Sequence, residues 1–459
     1  MQRDVLRETA SYAAEFLGSL DERPVFPRAS VEELRAALGG RLPERGLDPA
    51  DVVAELTAAA EPGIVGIPSG RYFGFVIGGA LPAALAADWL TSTWDQNAGL
   101  YVGGPSAAVV EEVCLEWLRE LLALPAGVSG ALVTGCQMAH VTALAAARHR
   151  LLADAGWDVN REGLAGAPRI RVLTGELAHV TVFRALRLLG IGSTQVVALP
   201  TDERARLRAD ALRDALAAGG GPTIVVAQAG EVNTGSFDPL AEIAAACEDA
   251  GAWLHVDGAF GLWAAASPEL LHLVAGAERA DSWATDAHKW LNVPYDCGMA
   301  FCRHPDAHRA AMAVQASYLV HADEAGPRDQ LDWTPEFSRR ARGFPVYAAI
   351  RSLGRAGIAE LVDRCCAHAG RFAAALSAAG AEVLNDVVLN QVLVRFGDDA
   401  RTDAVLAAVQ ADGAAFMSGT TFRGVRAMRI SVSNWQTTVD DVEASVAAIL
   451  RAARQPAPA

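Results

Sequence analysis

Short apolar runs alternate with longer helix-like stretches through the middle of this chain, and this alternation limits the fold more than any other feature. The apolar runs are Gly130–Thr134, Arg169–Thr174, Gln195–Leu199, Thr223–Gln228, Ala252–Val256, Ser282–Thr285 and Cys297–Cys302. The Ala/Leu-rich stretches between several of them are Met138–Leu152, Val180–Leu189, Arg208–Ala218 and Leu240–Ala250. A strand–helix–strand order repeated this often predicts an α/β domain with a mostly parallel seven-stranded sheet, because buried parallel strands read as continuous apolar runs.

Two further units flank this predicted large domain, which covers residues 71–345. Residues 1–70 predict a helical arm, whose apolar stripes over Val5–Leu20 and Val31–Leu38 we expect to pack against another body or a second subunit. Residues 346–459 predict a smaller α+β domain that begins with a long helix. The helices expected there are Val346–Ala379, Ala404–Ala411 and Val439–Ala453, and the strands are Glu382–Leu384, Gln391–Arg395 and Ala427–Val432.

The charge balance excludes some classes of function. The chain of 459 residues carries 39 basic and 54 acidic side chains, a net charge of −15, without a Lys/Arg cluster that would bind nucleic acid. No apolar stretch of about 18 residues predicts a membrane span, and the charged first residues do not resemble a signal peptide. The seven cysteines show no metal-binding spacing, so we expect reduced thiols, no metal site and a cytoplasmic protein.

Asp257 and Lys289 carry the chemistry that the sequence predicts. Asp257 ends an apolar run, where open α/β sheets build ligand sites. Lys289 follows the next run, between His288 and Trp290, and charged Lys is rarely buried in such apolar surroundings. Burial is expected to lower the pKa of Lys289 and make its neutral amine a nucleophile toward a carbonyl. A turn-capping Asp and a surface Lys are the alternatives for either residue alone.

A buried carboxylate together with a buried Lys suits pyridoxal 5'-phosphate (PLP). The carboxylate keeps the pyridine nitrogen protonated, and the Lys binds the aldehyde carbon as a Schiff base. The segments that hold the two residues, LHVDGAFG at 254–261 and DSWATDAHKW at 281–290, resemble the group II pyridoxal-dependent decarboxylases. This family includes aromatic-L-amino-acid and glutamate decarboxylases, and the resemblance extends from about Arg71 to Asp441. It implies PLP fold type I, a homodimer with active sites at the subunit interface, and conversion of an L-amino acid to an amine and CO₂.

The resemblance also implies roles for individual residues. His179 matches a His that stacks on the pyridine ring and assists proton transfer, with a helix-start residue as its alternative. Ala259 matches the small residue on the opposite face of the ring, and His288 matches a His that orients the Lys or faces the phosphate. Tyr318 matches the Tyr of a mobile loop that protonates the substrate Cα after CO₂ leaves. A Phe at that position shifts the family's outcome toward an aldehyde, so Tyr318 favours amine formation, with a structural Tyr as the alternative.

The phosphate-binding turn departs from the family pattern, which reads Gly-Gly/Ala-Ser-Glu-Ala-Asn. Here Gly135, Cys136 and Gln137 begin the segment GCQMAH, so backbone amides at the helix start remain for phosphate and Gln137 must replace the Ser hydroxyl. Asp286 stands where the family commonly has Asn or Ser. Its carboxylate would repel a phosphate unless it faces away or binds His288.

The substrate side is less constrained by the sequence. Asn233, in the loop GEVNTGSFD, is a candidate contact to the ring or the substrate, or a residue that only shapes a turn. Four aromatic residues resemble family positions that line the substrate cavity, partly across the dimer, with core packing as the alternative. These residues are Tyr72, Phe73, Trp94 and Tyr101. Candidate partners for a substrate carboxylate are Arg71, Arg340, Arg342 and Arg429.

Several alternatives to amine formation stay open. A PLP enzyme with this site is also compatible with decarboxylation-coupled oxidative deamination to an aldehyde, with transamination and with carbon–carbon cleavage. A catalytically silent regulatory subunit of the same fold is an alternative from another class. The altered phosphate turn favours that subunit, and the intact Asp257–Lys289 pair counts against it. The amino acid substrate stays open among aromatic, branched aliphatic and secondary-metabolite types.

Overall fold

The computed structural model describes residues 2–314 and 326–455 of the chain. The helices are α1 (Gln2–Gly18), α2 (Val31–Leu38), α3 (Pro49–Ala60), α4 (Pro82–Trp94), α5 (Pro105–Leu121), α6 (Cys136–Asp154), α7 (Val159–Glu162), α8 (Val180–Leu188), α9 (Ala209–Ala217), α10 (Leu240–Ala250), α11 (Pro305–Met312), α12 (Gly343–Ala378), α13 (Asp399–Asp412) and α14 (Val439–Arg454). The strands are β1 (Ser129–Val133), β2 (Arg171–Gly175), β3 (Val196–Leu199), β4 (Thr223–Gln228), β5 (Trp253–Asp257), β6 (Ser282–Asp286), β7 (Gly298–Cys302), β8 (Glu382–Val383), β9 (Gln391–Arg395), β10 (Ser418–Phe422) and β11 (Val425–Ser431).

The larger sheet contains seven strands in the order β1-β7-β6-β5-β4-β2-β3. The strands β3, β2, β4, β5 and β6 run parallel to one another, whereas β7 is antiparallel to both of its neighbours. Every residue of β1, β4, β5, β6 and β7 is buried, as expected for strands covered by helices on both faces. The predicted seven-stranded, mostly parallel α/β fold is confirmed, and each predicted strand overlaps an observed one.

Alternate residues of the strands pack into separate cores on the two faces of this sheet. Val172 and Ile224 join a cluster beneath α6 and α8, whereas their chain neighbours Leu173 and Val225 join the main core on the other face. This division follows the two-residue period of a strand, whose successive side chains point to opposite faces. Packing on both faces holds the carboxyl ends of the central strands in place, and these ends carry the site described below.

The smaller sheet is antiparallel and has the order β10-β11-β9-β8. The sequence predicts β8, β9 and β11 but misses β10, because the segment SGTTF at 418–422 is only partly buried and contains no apolar run. The long helix predicted over Val346–Ala379 is present as α12. It departs from helical geometry at Gly354, where φ is 61° and ψ is 178°. Glycine adopts that backbone conformation without the steric cost that other residues incur.

The amino-terminal helices leave apolar side chains in solvent. Neither α2 nor α3 contains a buried residue. Leu6, Val31, Leu38, Leu42 and Val52 are all exposed, the last of them to 47% and Leu42 to 91%. Part of the apolar stripe that the sequence predicts for the arm is therefore exposed within a single chain, although Leu20 at its end is buried. Separately, none of the helices in the described part of the chain has the length and apolarity that a membrane crossing requires.

Candidate active site

Two neighbouring strands place the acidic residues of the site at one edge of the large sheet. Asp257 is the last residue of β5 and Asp286 is the last residue of β6, and the two strands pair in parallel. The carboxyl ends of parallel strands lie together, and open α/β sheets bind their ligands there. Lys289 follows three residues after Asp286, and α6 begins against the same edge at Cys136. Segments far apart in the sequence therefore converge on one place.

Asp257 is buried and surrounded by groups that favour its charged form. Its Oδ2 lies 3.5 Å from Nε2 of His140, and its Oδ1 accepts a hydrogen bond of 3.2 Å from the Ala259 N–H. The Cys136 thiol lies 3.9 Å from the same Oδ1. Burial would raise the pKa of Asp257, but the neighbouring cationic and donor groups, His140 first among them, hold that pKa well below its usual range. The side chain is therefore an ionised carboxylate.

Lys289 is paired with a carboxylate, which changes its expected ionisation. Its Nζ lies 3.1 Å from Asp286 Oδ2 and 6.0 Å from the centre of the Phe260 ring. Burial lowers the pKa of Lys289, but the attraction of Asp286 and of the more distant Asp257 outweighs burial and raises that pKa overall. The expectation of a lowered Lys289 pKa is therefore wrong for these surroundings, because the sequence did not place Asp286 against the amine.

The lysine content of the chain is a further sequence signal for Lys289. Lys289 is the only lysine among the 459 residues, so all other members of the 39 Lys and Arg side chains are arginines. An arginine cannot replace an amine that must bind an aldehyde, since the guanidinium stays protonated in proteins. Arginine stands at every other Lys/Arg position of the chain. The lysine kept at position 289 therefore indicates a need for a reactive amine there.

Asp286 lies at the start of α6, where the sequence predicts a phosphate site. Its Oδ1 accepts a hydrogen bond of 2.6 Å from the Cys136 N–H and lies 3.5 Å from Nε2 of His288. The Nδ1 of His288 accepts a hydrogen bond of 3.0 Å from the Cys297 N–H, so the ring proton sits on Nε2 and faces Asp286. Burial lowers the pKa of His288, in keeping with a neutral ring. Of the two arrangements that the sequence left open for Asp286, its contact with His288 is the one observed.

The turn before α6 leaves room and polar groups for an anion. A Cβ atom at Gly135 would come within 3.1 Å of the His288 ring, so glycine keeps this approach open. Gln137 donates from Nε2 to the Thr181 carbonyl at 3.1 Å, while its buried Oε1 has no partner among the described residues. Backbone amides at the amino terminus of a 19-residue helix favour a bound phosphate. With Lys289 and Asp257 beside this turn, the residues fit PLP at its aldehyde and its ring nitrogen. Asp286 accepts from the Cys136 N–H, so a phosphate contact at this turn stays a prediction.

His179 caps α8 and lies close to the charged groups of the site. Its Nδ1 lies 2.7 Å from the Thr181 hydroxyl and accepts from the Thr181 N–H at 3.4 Å. Burial lowers the pKa of His179, although the charge of Asp257 raises it and that of Lys289 lowers it further. The helix-start alternative therefore describes its hydrogen bonds, and its predicted stacking on the cofactor ring stays a prediction. Ala259 packs against the cluster of Val133, Ala284 and Ala300 next to α6 and lines the same edge.

Asn233 makes contacts within its own loop and with the smaller sheet. Its Nδ2 donates to Glu231 at 2.8 Å, and its Oδ1 accepts from the Thr420 hydroxyl at 2.8 Å. Glu231 also accepts from the Thr234 N–H and hydroxyl. These bonds match the turn-shaping alternative, and a cofactor contact by Asn233 stays a prediction. Tyr318, predicted to donate the proton, lies outside the described residues.

The four predicted substrate-pocket aromatics lie in different surroundings. Tyr72 stacks on Phe416 at 5.1 Å, and Phe73 is fully buried edge-on against Phe372 in the main core. Trp94 is 47% exposed and packs edge-on against Phe344, whereas the Tyr101 N–H donates to Asp329. Burial, with a smaller contribution from Tyr295, raises the Tyr72 pKa to about 12. A shared pocket made by all four stays a prediction.

Four residues that support the site were not singled out from the sequence. Tyr295 stacks over His288 with ring centres 4.4 Å apart, and His140 contacts Asp257. Asn292 Nδ2 donates to the Trp290 and Ser433 carbonyls, which ties the lysine loop to the smaller sheet. A Cβ at Gly78 would lie 1.8 Å from the Lys289 carbonyl oxygen. Two signals for them were present in the sequence: His140 departs from the family's turn, and the aromatic Tyr295 lies two residues before Cys297. Neither signal specifies a contact.

Comparisons with known proteins agree with this geometry. The family described as the pyridoxal-dependent decarboxylase conserved domain matches residues 32–396. An aromatic-L-amino-acid decarboxylase of Bacillus atrophaeus is 28% identical over 443 residues, 93% of this chain and 90% of the relative. A 4-hydroxyphenylacetaldehyde synthase of Rhodiola rosea is 27% identical over 373 residues, 79% of this chain and 74% of the relative. The crystal structure of Oryza sativa TDC with PLP and tryptamine has a TM-score of 0.92 at 24% identity, covering 98% of this chain and 97% of that chain.

The family match covers well over half of the chain, and the fold agrees with the solved structure over nearly its whole length. The predicted family, the PLP cofactor and the class of amino-acid carboxy-lyases are therefore confirmed. Because the matched residues 32–396 include Cys136, Asp257, Asp286 and Lys289, the site lies within the shared part of the fold. The chain belongs to the family of pyridoxal-dependent decarboxylases.

Proposed function

We propose that this chain converts an aromatic L-amino acid to its amine and CO₂, with PLP bound to Lys289 and with Asp257 facing the pyridine nitrogen. The observation that carries the proposal is the pair itself, since the only lysine of the chain follows β6 by three residues, and the buried Asp257 ends the neighbouring parallel strand β5. The substrate class is supported by the aromatic-L-amino-acid decarboxylase that aligns with 93% of the chain.

Each side chain of the site has a task in this reaction. When bound, PLP supplies an aldehyde for the substrate amine and a protonated ring that withdraws electrons from Cα. Asp257 holds the proton at the ring nitrogen, because its carboxylate is ionised and fixed by its neighbours. Lys289 Nζ holds a proton that Asp286 stabilises at 3.1 Å and must release before it attacks a carbonyl. His179 offers a neutral ring next to Asp257, which suits stacking on the cofactor.

Arg429 is the best placed of the four candidate arginines to bind the substrate carboxylate. It is buried, donates to the Val232 carbonyl at 3.4 Å, and makes no ion pair with any residue in the ranges 2–314 and 326–455. Burial lowers its pKa and its charge acts on His179, so an incoming carboxylate would meet a cation beside the site. The other three are occupied: Arg71 by the carbonyls of Leu20, Asp21, Arg23 and Ala414, Arg340 by Asp88, and Arg342 by Asp296 and Glu336.

The homodimer and the cytoplasmic location are part of the same proposal. The uncovered apolar side chains of α1 to α3 support association with a second copy, since an apolar surface of this kind favours burial. All seven cysteines are free and six of them are buried, which suits a reducing compartment. Analytical ultracentrifugation of the purified protein should give about twice the chain mass of 48.1 kDa. A single species of one chain mass would refute the dimer.

A substrate screen with defined variants tests the reaction. Purified protein loaded with PLP is incubated with single L-amino acids, and CO₂ and amine are measured by mass spectrometry; we expect release of both with aromatic substrates. Lys289→Ala should abolish the cofactor's visible absorbance band and CO₂ release. Lys289→Arg, which keeps the positive charge but has no amine that can bind an aldehyde, is the matched control and should lose both as well. After borohydride reduction the native chain should carry one cofactor on the Lys289 peptide. An unchanged absorbance band in Lys289→Ala would refute the assignment.

Tyr318 decides between the two products in this proposal, on the strength of the resemblance. In Tyr318→Phe the proton donor to Cα is gone, so amine yield should fall. In air-saturated buffer, dissolved O₂ would take up two electrons and water would release the nitrogen as ammonia, so aldehyde and hydrogen peroxide should join the product mixture. The matched control is Tyr347→Phe, a partly exposed tyrosine on α12 that stacks on Trp117. The relative from Rhodiola rosea, a 4-hydroxyphenylacetaldehyde synthase, makes the aldehyde the product to measure beside the amine. An unaffected amine yield would show that Tyr318 is not the donor.

A further inference from the structure

A chain of buried polar side chains runs from Asp257 into the interior of the protein. The carboxylate contacts His140 Nε2 at 3.5 Å, and His140 Nδ1 lies 2.9 Å from His255 Nε2. The other nitrogen of His255, Nδ1, lies 2.9 Å from the Ser282 hydroxyl, which accepts a hydrogen bond of 2.9 Å from Trp253 Nε1. His140, His255 and Ser282 have no measurable exposure. Water therefore does not supply partners for these groups, and they must satisfy one another.

With neutral rings, the carboxylate of Asp257 sets the direction of the hydrogen bonds in this chain, and Ser282 and Trp253 are compatible with it. The indole N–H of Trp253 can only donate, so the Ser282 oxygen accepts from it and the Ser282 proton is free for His255 Nδ1. His255 then carries its proton on Nε2 and donates to His140 Nδ1. His140 in turn carries its proton on Nε2, which faces Asp257. The opposite direction with neutral rings would aim a lone pair of His140 at a carboxylate and is disfavoured.

Burial supports a neutral ring for His255. The pKa of His255 is lowered to about 3, first by burial and then by the neighbouring His140. With His255 neutral, its single ring proton lies on one nitrogen; donation from Nε2 to His140 Nδ1 leaves Nδ1 to accept from the Ser282 hydroxyl. The groups that face His140 are Asp257, His255 and the Cys136 thiol, whose Sγ lies 3.5 Å from Nε2. Of these, Asp257 is the carboxylate, so the N–H on Nε2 of His140 is directed toward it.

We propose that His140, held by His255, Ser282 and Trp253, is a positioning residue that presents an N–H to Asp257 and fixes that carboxylate toward the pyridine nitrogen of PLP. The inference rests on the proposed role of Asp257 toward that nitrogen. His140 stands where the family's turn has Asn, so this support is a feature of the present chain and its two histidines, which lie 115 residues apart in sequence. His140 acts through Asp257 and does not touch the substrate.

The test compares two cofactors that differ only at the ring nitrogen. Apoprotein is titrated with PLP and with 1-deazapyridoxal 5'-phosphate, which has carbon in place of the nitrogen, and Kd is measured by equilibrium dialysis. For His140→Asn we expect PLP to bind about tenfold more weakly, since the contact at 3.5 Å between the ring nitrogen and the charged carboxylate is lost, while deaza-PLP binding is unchanged. The matched control is His149→Asn, nine residues further along α6, which should change neither Kd. An equal loss of affinity for both cofactors in His140→Asn would show that His140 has only a structural role.

Asp257→Asn separates failure of this inference from failure of the proposed function. If Asp257 serves the ring nitrogen, Asp257→Asn should weaken PLP and leave deaza-PLP unchanged. Equal weakening of both cofactors in Asp257→Asn would overturn the role of Asp257. If Asp257→Asn loses the preference for PLP over deaza-PLP but His140→Asn keeps it, only the positioning role of His140 is overturned.

The protons themselves can be observed in the unmodified protein, and variants are used only to assign its signals. In protein labelled with ¹⁵N-histidine, long-range ¹H–¹⁵N spectra distinguish protonated from unprotonated ring nitrogens. Single His→Asn variants assign the signals. We expect His140 and His255 each to show a protonated Nε2 and an unprotonated Nδ1. A protonated Nδ1 on either ring would overturn the proposed direction of the hydrogen bonds.

Discussion

Replacing Asp286 by Asn should release the lysine of the site from its partner. Asp286 Oδ2 lies 3.1 Å from Lys289 Nζ, and two unit charges at that distance attract by about 5 kcal/mol at an effective dielectric constant of ~20. The Lys289 side chain is 21% exposed, so solvent reduces this attraction, and an opposite charge in such a position moves a pKa by about 1–3 units. We therefore expect Asp286→Asn to lower the Lys289 pKa by about 2 units, or roughly 3 kcal/mol.

The rate of cofactor binding reports this pKa, because only the neutral amine attacks the aldehyde. Apoprotein is mixed with PLP in a stopped-flow instrument, and the visible absorbance of the lysine-bound cofactor is followed from about pH 7 to about pH 12, because the native midpoint lies above the ordinary Lys value. The midpoint of the rate profile should move down by about 2 units in Asp286→Asn, with binding at pH 8 faster by about tenfold or more. No other lysine contributes to the signal, since the chain has none.

Asp281→Asn is the matched control for this measurement. Like Asp286, Asp281 accepts a backbone N–H, that of Leu254, and faces a histidine, His304, at 2.8 Å, but it has no lysine beside it. Its replacement should leave the midpoint of the rate profile unchanged. A midpoint that stays in place or rises in Asp286→Asn would refute the reasoning, because it would show that Asp286 does not govern the ionisation of the amine.

Three other perturbations test the support of the site. In Gly78→Ala the added methyl group would lie 1.8 Å from the carbonyl oxygen of the lysine, so the loop must move, at a cost of about 2 kcal/mol of unfolding free energy in urea denaturation. Arg339→Met removes the partner of the buried Glu111, whose Oε2 lies 2.7 Å from the guanidinium, and should cost about 4 kcal/mol in the same assay. Asp257 has a folded-state pKa below its ordinary 3.8, so its contribution to stability is present above pH 3.8 and is lost as the pH falls through the folded value. Asp257→Asn should therefore flatten the acid side of the stability–pH curve.

Each of these predictions has a control and a contrary outcome. Gly220→Ala, with no atom within 4 Å of the new methyl group, should not destabilise the protein, and equal effects at both glycines would contradict the steric argument. Arg150→Met breaks an exposed ion pair with Asp154 and should lower the unfolding free energy by less than about 1 kcal/mol. If Arg150→Met destabilises the protein as much as Arg339→Met does, burial adds nothing to the cost of breaking an ion pair. An acid side as steep in Asp257→Asn as in the native protein would show that other carboxyl groups govern it.

The strands of the large sheet could be predicted from the sequence because each is an unbroken apolar run buried on both faces. The segment 418–422 could not, since a half-exposed strand of Ser, Gly and Thr resembles a loop. The break in α12 at Gly354 was also missed, because Ala-rich sequence on both sides favours one continuous helix. Local pattern therefore predicts elements whose neighbours are uniform, and it fails where burial changes within a few residues.

The residues that react could be predicted from short motifs, but the contacts that tune them could not. Asp286 was recognised as a departure from the family, yet its effect on the Lys289 pKa depends on a 3.1 Å distance. The pairing of His140 with His255 joins a helix to a strand 115 residues away, and no periodicity reports such a contact. Hydrogen bonds of this kind are decided by packing, which the sequence specifies only through the whole fold.

The single lysine has a practical consequence for work with this protein. Any reagent that is specific for primary amines can modify one side chain of the 459-residue chain, and that side chain is partly accessible at 21% exposure. Apart from the terminal amine, the extent of labelling therefore measures the fraction of active sites that are vacant. Cofactor or a tight inhibitor on Lys289 should protect the amine from the reagent in proportion to its occupancy. A simple acylation measured by intact mass thus turns the active site into its own reporter, with no engineered tag.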